Sequence, residues 1–483
     1  MAQDAAESSF DRNRIQQSTE TEFGIHEMFF SITDEKGIIR TGNDVFIRVS
    51  GYSREQMVGK PHNLVRHPDM PRIVFKTLWD EIGAGRPIAA YVKNRSQDGR
   101  FYWVLATVLP IPGGYLSIRV KPTSELFKLA QAVYPELRRI EAEIEGPNGV
   151  HRKEAMDASG ARLAEMLEGQ GYDSYGAFMR EAVLAETNAR EADAQRRRLS
   201  GQMRRAPRAG GRGDEVLGGL NIVDDVLARL VLRLDDYVRL SHQLAEKAAF
   251  VRGLADDVRL FALNAIVIAS KAGGRDGAAI GAVAAVLQKN ADSGSVLFGE
   301  LGDSIGRATD TLNRLLFPVA ASRLQCEMLT HFVLELDLAT RLIFRRDDLR
   351  LLHGSLVHEV DQLLPLLDEL DSRMGTLAND VGDLRRVLGM MRALSLDGEI
   401  EAARMQDSTQ FSMLFKTVRA QVETAWSELA DLSQSVETFL RHDNAQELEA
   451  ALARAGAAIR DWADAPMEGL PETGDRRRAA QAA

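Results

Sequence analysis

The sequence predicts two architectures in one chain. The first is an α+β domain built on a five-stranded antiparallel sheet with flanking helices; the second is an all-α region of long helices in an antiparallel bundle or coiled coil. Three observations predict this. Phe, Tyr and Trp are dense before residue 122 and sparse after it. Between 20 and 122, short apolar runs are separated by turns containing Gly, Asn and Asp, the pattern of strands. Beyond 214, apolar residues recur at alternating spacings of three and four, which keeps one face of a helix against a partner along its whole length. The chain has 483 residues, 45% of them apolar and 27% charged, enough to bury the cores of several domains.

Residues 1–19 are expected to form a flexible N-terminus and 20–122 the α+β domain. Within it, "MFFSITD" and "IIRTG" read as strands joined across Asp34-Glu35-Lys36-Gly37, where Gly37 is free to take positive φ. Asn43 or Asp44 can cap a short helix, and Ser53 with Gln56 has the spacing of a capping box. Strands follow at 91–95, 101–110 and 115–120, with Asp98-Gly99 and Gly113-Gly114 as the hairpin turns.

Two strands, then helices, then a three-strand meander is the PAS order. The stretch "NLVRHPDMPRIVFKTLWDEIGAGRPIAAYVKNRSQDGRFYWV" goes further. With its "RHPDMP" loop, a Trp in the following helix, a "GRP" turn and a "KNR" to "YWV" hairpin, it closely resembles the PAS domain of Aer-type aerotaxis receptors, without gaps. The resemblance implies a sensor domain that holds FAD and reports oxygen indirectly through its redox state. Residue by residue, it implies Arg66, His67, Asp69, Trp79 and Asn94 as the cofactor-binding set.

The chemistry of these residues suits that role. Arg66 and His67 sit in a loop restrained by Pro68 and Pro71 and can present polar groups to an anionic or heteroaromatic ligand. Asp69 can cap the helix that begins near Pro71, with proline at its first position. Trp79 shares an apolar stripe with Phe75 and Leu78 and can line a pocket with a flat isoalloxazine ring; the Asn94 amide can bond ring carbonyls and nitrogens. Plainer readings stand beside these: Trp79 as core, Asp69 as a cap only, and a PAS domain without cofactor that serves to dimerise. Heme b is a further alternative, with His62 or His67 as the iron ligand.

A helical connector is expected over 123–194, with Ser124 as its cap. Residues 195–213 hold seven arginines and no acid, an exposed Arg/Gly-rich linker whose charge also suits nucleic acid or anionic lipid. One apolar seam then runs from Leu220 to Ala265 with Ser241 its only polar member, and a second from Leu356 to Met391, where Pro365 is expected to start or kink the helix. Val251, Ala255 and Val258 correspond to Leu384, Leu388 and Met391 at one constant offset, so the region is an internal repeat. It divides into hairpins at 214–345 and 350–462, expected to fold on each other within one chain, and a disordered tail at 463–483.

Both hairpin tips resemble the signalling tip of bacterial methyl-accepting chemoreceptors. "LFALNAIVIASKAG" keeps Asn264 and a Gly273-Gly274 turn but has Ile268 where that family carries a glutamate. "LSLDGEIEAAR" keeps Glu401 and Arg404, has Asp397 in place of the asparagine, and runs into "MQDST" instead of the glycine turn. The resemblance implies Asn264, Glu401 and Arg404 as a partner-binding tip for a histidine kinase and its coupling protein, or for a chemoreceptor array. Glu399 and Glu401 suggest adaptation-type methylation, and are equally what an ordinary helix surface carries.

Composition narrows the function classes. A net charge of -10 argues against a general nucleic-acid binder. The one cysteine, Cys326, excludes an intramolecular disulfide framework and suits a reducing compartment. No secretory signal is visible, and no apolar stretch near the tip approaches the ~18 residues of a membrane helix, so a cytoplasmic protein without membrane insertion is expected. "LPETG" at 470–474 resembles a sortase signal but lacks the apolar tail, and is read as coincidence. There is no phosphate loop, H-E-x-x-H motif or kinase signature set, so no enzyme is expected. These readings converge on a soluble PAS signal-transduction protein, an oxygen or redox sensor in a chemotaxis-like pathway, with self-association open to the PAS domain or the helices. The alternative is a non-sensing scaffold or adaptor that binds chemoreceptors or other helical partners.

Overall fold

The computed structural model describes residues 19–146, 149–199, 212–272, 274–338, 346–404, 409–440 and 444–464. The expected flexible start, most of the Arg/Gly-rich linker, Gly273, residues 405–408 of "MQDST", the "LPETG" stretch and nearly all of the tail lie outside these residues, as do the side chains of the first-seam members from 234 to 255.

The α+β domain runs β1 (Met28–Asp34), β2 (Ile39–Gly42), α1 (Asp44–Ser50), α2 (Arg54–Met57), a 3-10 turn (His62–Val65), α3 (Arg72–Gly83), β3 (Ile88–Arg95), β4 (Phe101–Ile111) and β5 (Gly114–Val120). Its five strands are antiparallel in the order β2-β1-β5-β4-β3, so β1 pairs with the last strand of the domain. Local signals start the helices. Asn43 caps α1 by accepting from Phe46 N–H, and Ser53 with Gln56 forms the expected capping box at α2.

One expected turn differs. The β4–β5 turn is Pro112-Gly113, with Gly113 at φ 75°, and Gly114 is already in β5. Gly114 serves close approach instead: a Cβ there would lie 1.9 Å from the Thr33 carbonyl oxygen on β1.

Side chains alternate between the two faces of the sheet. One face carries Ser31, Asn94, Ser117 and Arg119 and is covered by α3 and the 3-10 turn. The other carries Phe30, Tyr91 and Trp103. It packs on α4 (Glu125–Glu145) through Phe127 and Tyr134, on α6 (Tyr175–Leu199) through Phe178, and on Phe332. α5 (Arg152–Glu168) lies between α4 and α6 in the chain. Ser124 stands at the head of α4 but does not cap it with its side chain; its hydroxyl donates to Glu186 on α6.

The long helices are α7 (Arg212–Ala272), α8 (Gly274–Leu338), α9 (Arg346–Ala403), α10 (Thr409–Leu440) and α11 (Asn444–Asp464). The chain divides into two compact units, the second holding residues 229–319 and 361–446. Within that unit α7 and α8 run antiparallel, tied by Arg259 to Asp292 at 3.1 Å. α9 and α10 do the same, tied by Arg392 to Glu423 at 3.5 Å and Arg419 to Glu399 at 3.2 Å. The two pairs meet where Thr311 and Arg314 of α8 each lie 3.2 Å from the Glu369 carboxylate of α9. Leu363, Met374, Leu384 and Met391 of the second seam are buried, as its periodicity requires. Pro365 lies inside α9 and does not start it.

Candidate functional site

Between the sheet and α3 lies a cavity of about 230 Å³. Its roof is Phe75, Leu78, Trp79 and Ile82, which the i, i+3, i+4, i+7 spacing puts on one side of α3. Its wall is the alternate set Val92, Asn94, Ala106, Val108, Ser117 and Arg119 from three strands. Thr33 of β1, Tyr115 of β5, Lys36 and Gly37 of the β1–β2 turn, and His62, Asn63 and Arg66 complete the lining.

Trp79 is 42% exposed, with its indole edge-on to Tyr115 at 5.7 Å between ring centroids. Gly37, at φ 75°, fits beneath it; a Cβ at that position would lie 2.8 Å from the indole Cη2. Asn94 is buried, and its Nδ2 has no hydrogen-bond partner. Buried amides are normally paired, so an orphan donor on a cavity wall marks a place for an acceptor. Arg66 stacks its guanidinium 4.0 Å from the Phe75 ring centroid and donates to the Met70 carbonyl at 3.3 Å.

The inner end holds a pair that sequence reading did not bring together. Arg119 is 3% exposed and donates to Ser31 Oγ at 3.0 Å and to His62 Nε2. Burial pushes its guanidinium down to about 10, so it remains charged at neutral pH. His62 is stacked on Phe46 at 6.0 Å, and burial followed by the Arg119 charge holds its imidazole well below the usual range, hence neutral. The only hint in the sequence was strand alternation, which puts Arg119 on the same face as Ser117; nothing local says that an arginine there is buried.

Of the five expected cofactor residues, Arg66, Trp79 and Asn94 line the cavity, and His67 and Asp69 do not. His67 packs edge-on to Phe101 at 6.3 Å and accepts the Asp69 N–H on Nδ1 at 3.2 Å. The Asp69 carboxylate is bound by Lys93 Nζ at 2.7 Å and caps nothing; Pro71 is the N-cap of α3, which starts at Arg72. The first N–H groups of α3 go instead to Glu141 of α4, from Arg72 N at 2.7 Å and Ile73 N at 3.0 Å. A buried glutamate sixty-odd residues downstream therefore holds the helix that roofs the cavity.

The tip residues are separate from this site. Asn264 is exposed near the end of α7; Arg404 is exposed and pairs with Glu401 of α9 at 2.7 Å. Among the described residues no group of His, Cys, Asp and Glu is disposed to hold a metal ion. Cys326 is buried, with its thiol donating to the Leu220 carbonyl at 3.3 Å.

Residues 39–115 match the family model described as PAS fold. The first domain is a PAS domain. It is 40% identical over 112 residues to the aerotaxis receptor of Escherichia coli (strain K12), a match that covers 22% of this chain and 22% of that protein. A nitrogen fixation regulatory protein of Klebsiella pneumoniae is 27% identical over 81 residues, covering 17% of this chain and 16% of the relative. Among solved structures, the light state of the blue-light photoreceptor Aureochrome1 LOV is similar at 21% identity, over 25% of this chain and 94% of that one, with a TM-score of 0.20. The matches thus span less than a quarter of the curated relatives' length. Among the described residues, no helix is long and apolar enough to cross a membrane.

Proposed function

We propose that this protein is a non-enzymatic, cytoplasmic signal transducer whose PAS cavity holds a flavin, FAD, and whose helices pass the state of that flavin to a chemotaxis-like pathway. The observation that carries the reading is the orphan Asn94 Nδ2 on the wall of a largely apolar cavity, in a domain 40% identical to that of an aerotaxis receptor. FAD supplies, when bound, a reversible redox change. Asn94 would donate to an acceptor on the ring, Trp79 would cover the mouth and exclude water, and Arg66 would offer charge at the rim.

At about 230 Å³ the cavity exceeds the ~150 Å³ that admits benzene and falls short of the ~300–1,000 Å³ of sites for drug-sized ligands. Heme is less well served, because His62 commits Nε2 to Arg119 and His67 stands outside the cavity.

The route outward is short. Asn94 and Tyr91 share β3 but face opposite sides, and the Tyr91 hydroxyl lies 3.1 Å from both Glu186 Oε1 and Ser124 Oγ at the head of α4. A change in hydrogen bonding at Asn94 thus reaches the junction of sheet and helices through one strand. Switching requires a differential interaction of only a few kcal/mol between two packings. The output would be read at the bundle tips around Asn264, Glu401 and Arg404 by a kinase with its coupling protein, or by a receptor array.

The test is an absorption spectrum of the protein purified without added cofactor, before and after chemical reduction. A flavin spectrum that bleaches on reduction, and weakens in Asn94→Ala and Trp79→Ala, is expected. A colourless folded protein that takes up no FAD would sink the sensor reading and leave the scaffold. A Soret band would replace flavin by heme.

A further inference from the structure

The charged groups that line the PAS cavity are Lys36, Arg66 and Arg119, with the neutral imidazole of His62; no carboxylate lines it. Arg66 has acidic company in Glu141 and Glu145. Arg119 has none: among the described residues it makes no ion pair, and the groups around it are the Ser31 hydroxyl, the His62 ring, the faces of Phe46 at 5.1 Å and Phe29 at 5.9 Å, and the phenol of Tyr102. A buried cation without a counter-charge is unfavourable, and its neighbours here are weak compensation. Asn94 Nδ2, buried and without a hydrogen-bond partner, is a second donor group among the residues that line the same cavity.

We propose that Arg119 forms an anion subsite at the inner end of the PAS cavity, so that this domain takes a planar, largely apolar ligand whose negatively charged oxygen edge lies against Arg119. The inference rests on the cavity being the ligand site and holds whether or not the ligand is a flavin. Arg119 supplies the charge, Ser31 and His62 fix the guanidinium, and the apolar roof of Phe75, Leu78 and Ile82 takes the flat body of the ligand.

The probe is 4-nitrophenol, a single-ring phenol that turns yellow on ionisation. It is added to the full-length chain, stripped of any bound chromophore, about one unit below the pKa of the free phenol. Wild type and Arg119→Lys are expected to bind it as the yellow phenolate, with the phenolate-to-phenol ratio raised at least about tenfold over free probe. Arg119→Met is expected to lose that colour while melting no lower than wild type, because it removes a buried charge. A purely structural arginine predicts the reverse, a lower melting temperature and no phenolate in any variant. Absence of bound phenolate in wild type, or equal colour in Arg119→Met, overturns the proposal; if Arg119→Met does not fold, wild type and Arg119→Lys decide it. Competition by FAD separates the two readings. FAD that displaces the phenolate supports both, and FAD that fails to displace it removes the flavin while leaving the anion subsite standing.

Discussion

Glu186 holds the head of α4 with both carboxylate oxygens: Oε1 accepts from Ser124 N–H at 3.0 Å and from the Ser124 hydroxyl at 2.7 Å, while Oε2 accepts from Thr123 N–H at 2.6 Å. The chain leaves β5 at Val120, so this carboxylate clamps the point where the sheet hands over to helix. Glu186 is 1% exposed, and its loss would leave several donors buried without acceptors. Glu186→Ala should therefore lower unfolding free energy by ~1–3 kcal/mol in a denaturant titration. Tyr91→Phe should cost ~0.5–1.5 kcal/mol, and the two changes should not be additive, because Tyr91 and Glu186 share one network.

Glu141 is predicted to govern the cavity from outside it. Glu141→Ala uncaps α3, with an expected loss of ~0.5–2 kcal/mol from the cap, and loosens the helix that carries Trp79. Asp69→Ala should have little effect on stability, since the Asp69 side chain that meets Lys93 is largely exposed. Paired thermal melts of the two variants check this; the opposite ranking would restore Asp69 as the cap.

Arg190 of α6 gives stability a defined acid dependence. It pairs with Glu327 and also donates to the Ile25 carbonyl ahead of β1. Burial alone would raise the Glu327 carboxyl, but Arg190 outweighs it and holds the group below the usual carboxylate range. A depressed folded pKa means stability that is present above the unfolded value of ~4.3 and is lost as pH falls through the folded one. Arg190→Met should remove ~1–3 kcal/mol at neutral pH, less than a fully buried pair because a third of the Glu327 side chain is exposed, and should flatten the decline below that pH. Denaturant midpoints measured across the acid range show whether it does.

Gly398 is predicted to be intolerant of any side chain. A Cβ there would lie 2.4 Å from the Phe415 ring, and Phe415 is fully buried where α9 meets α10. Gly398→Ala gains helix propensity of ~1 kcal/mol but should still destabilise the bundle by ~1–3 kcal/mol through overpacking. Gly375→Ala in the same helix meets nothing within 4 Å and should be neutral or stabilising. Equal melting of the two variants would refute the packing at that end of the hairpin.

Much of the fold was legible because the signals are local. Asn43 and the Ser53-Gln56 box are caps read within four residues, and the second seam reports its own burial through periodicity. Gly113-Gly114 misled because two adjacent glycines serve different ends, one a turn and one a close approach to β1. Asp69 misled for a related reason: a residue ahead of a helix has the chemistry of a cap, but Lys93 competes for it and Glu141 reaches the same N–H groups from another helix.

The sequence by itself determined a PAS domain followed by paired long helices, and it placed Trp79 and Asn94 on elements able to face a ligand, because periods of 3.6 and 2 assign faces without knowledge of partners. Only the tertiary structure decided what those faces meet. It buried Arg119 without a carboxylate, turned His67 and Asp69 away from the cavity, and brought Glu141 and Glu186 to the ends of helices far from them in the chain. The physical reason is that burial and pairing depend on contacts between residues tens of positions apart, and the free energy of a charge is set by those contacts and not by its neighbours in sequence.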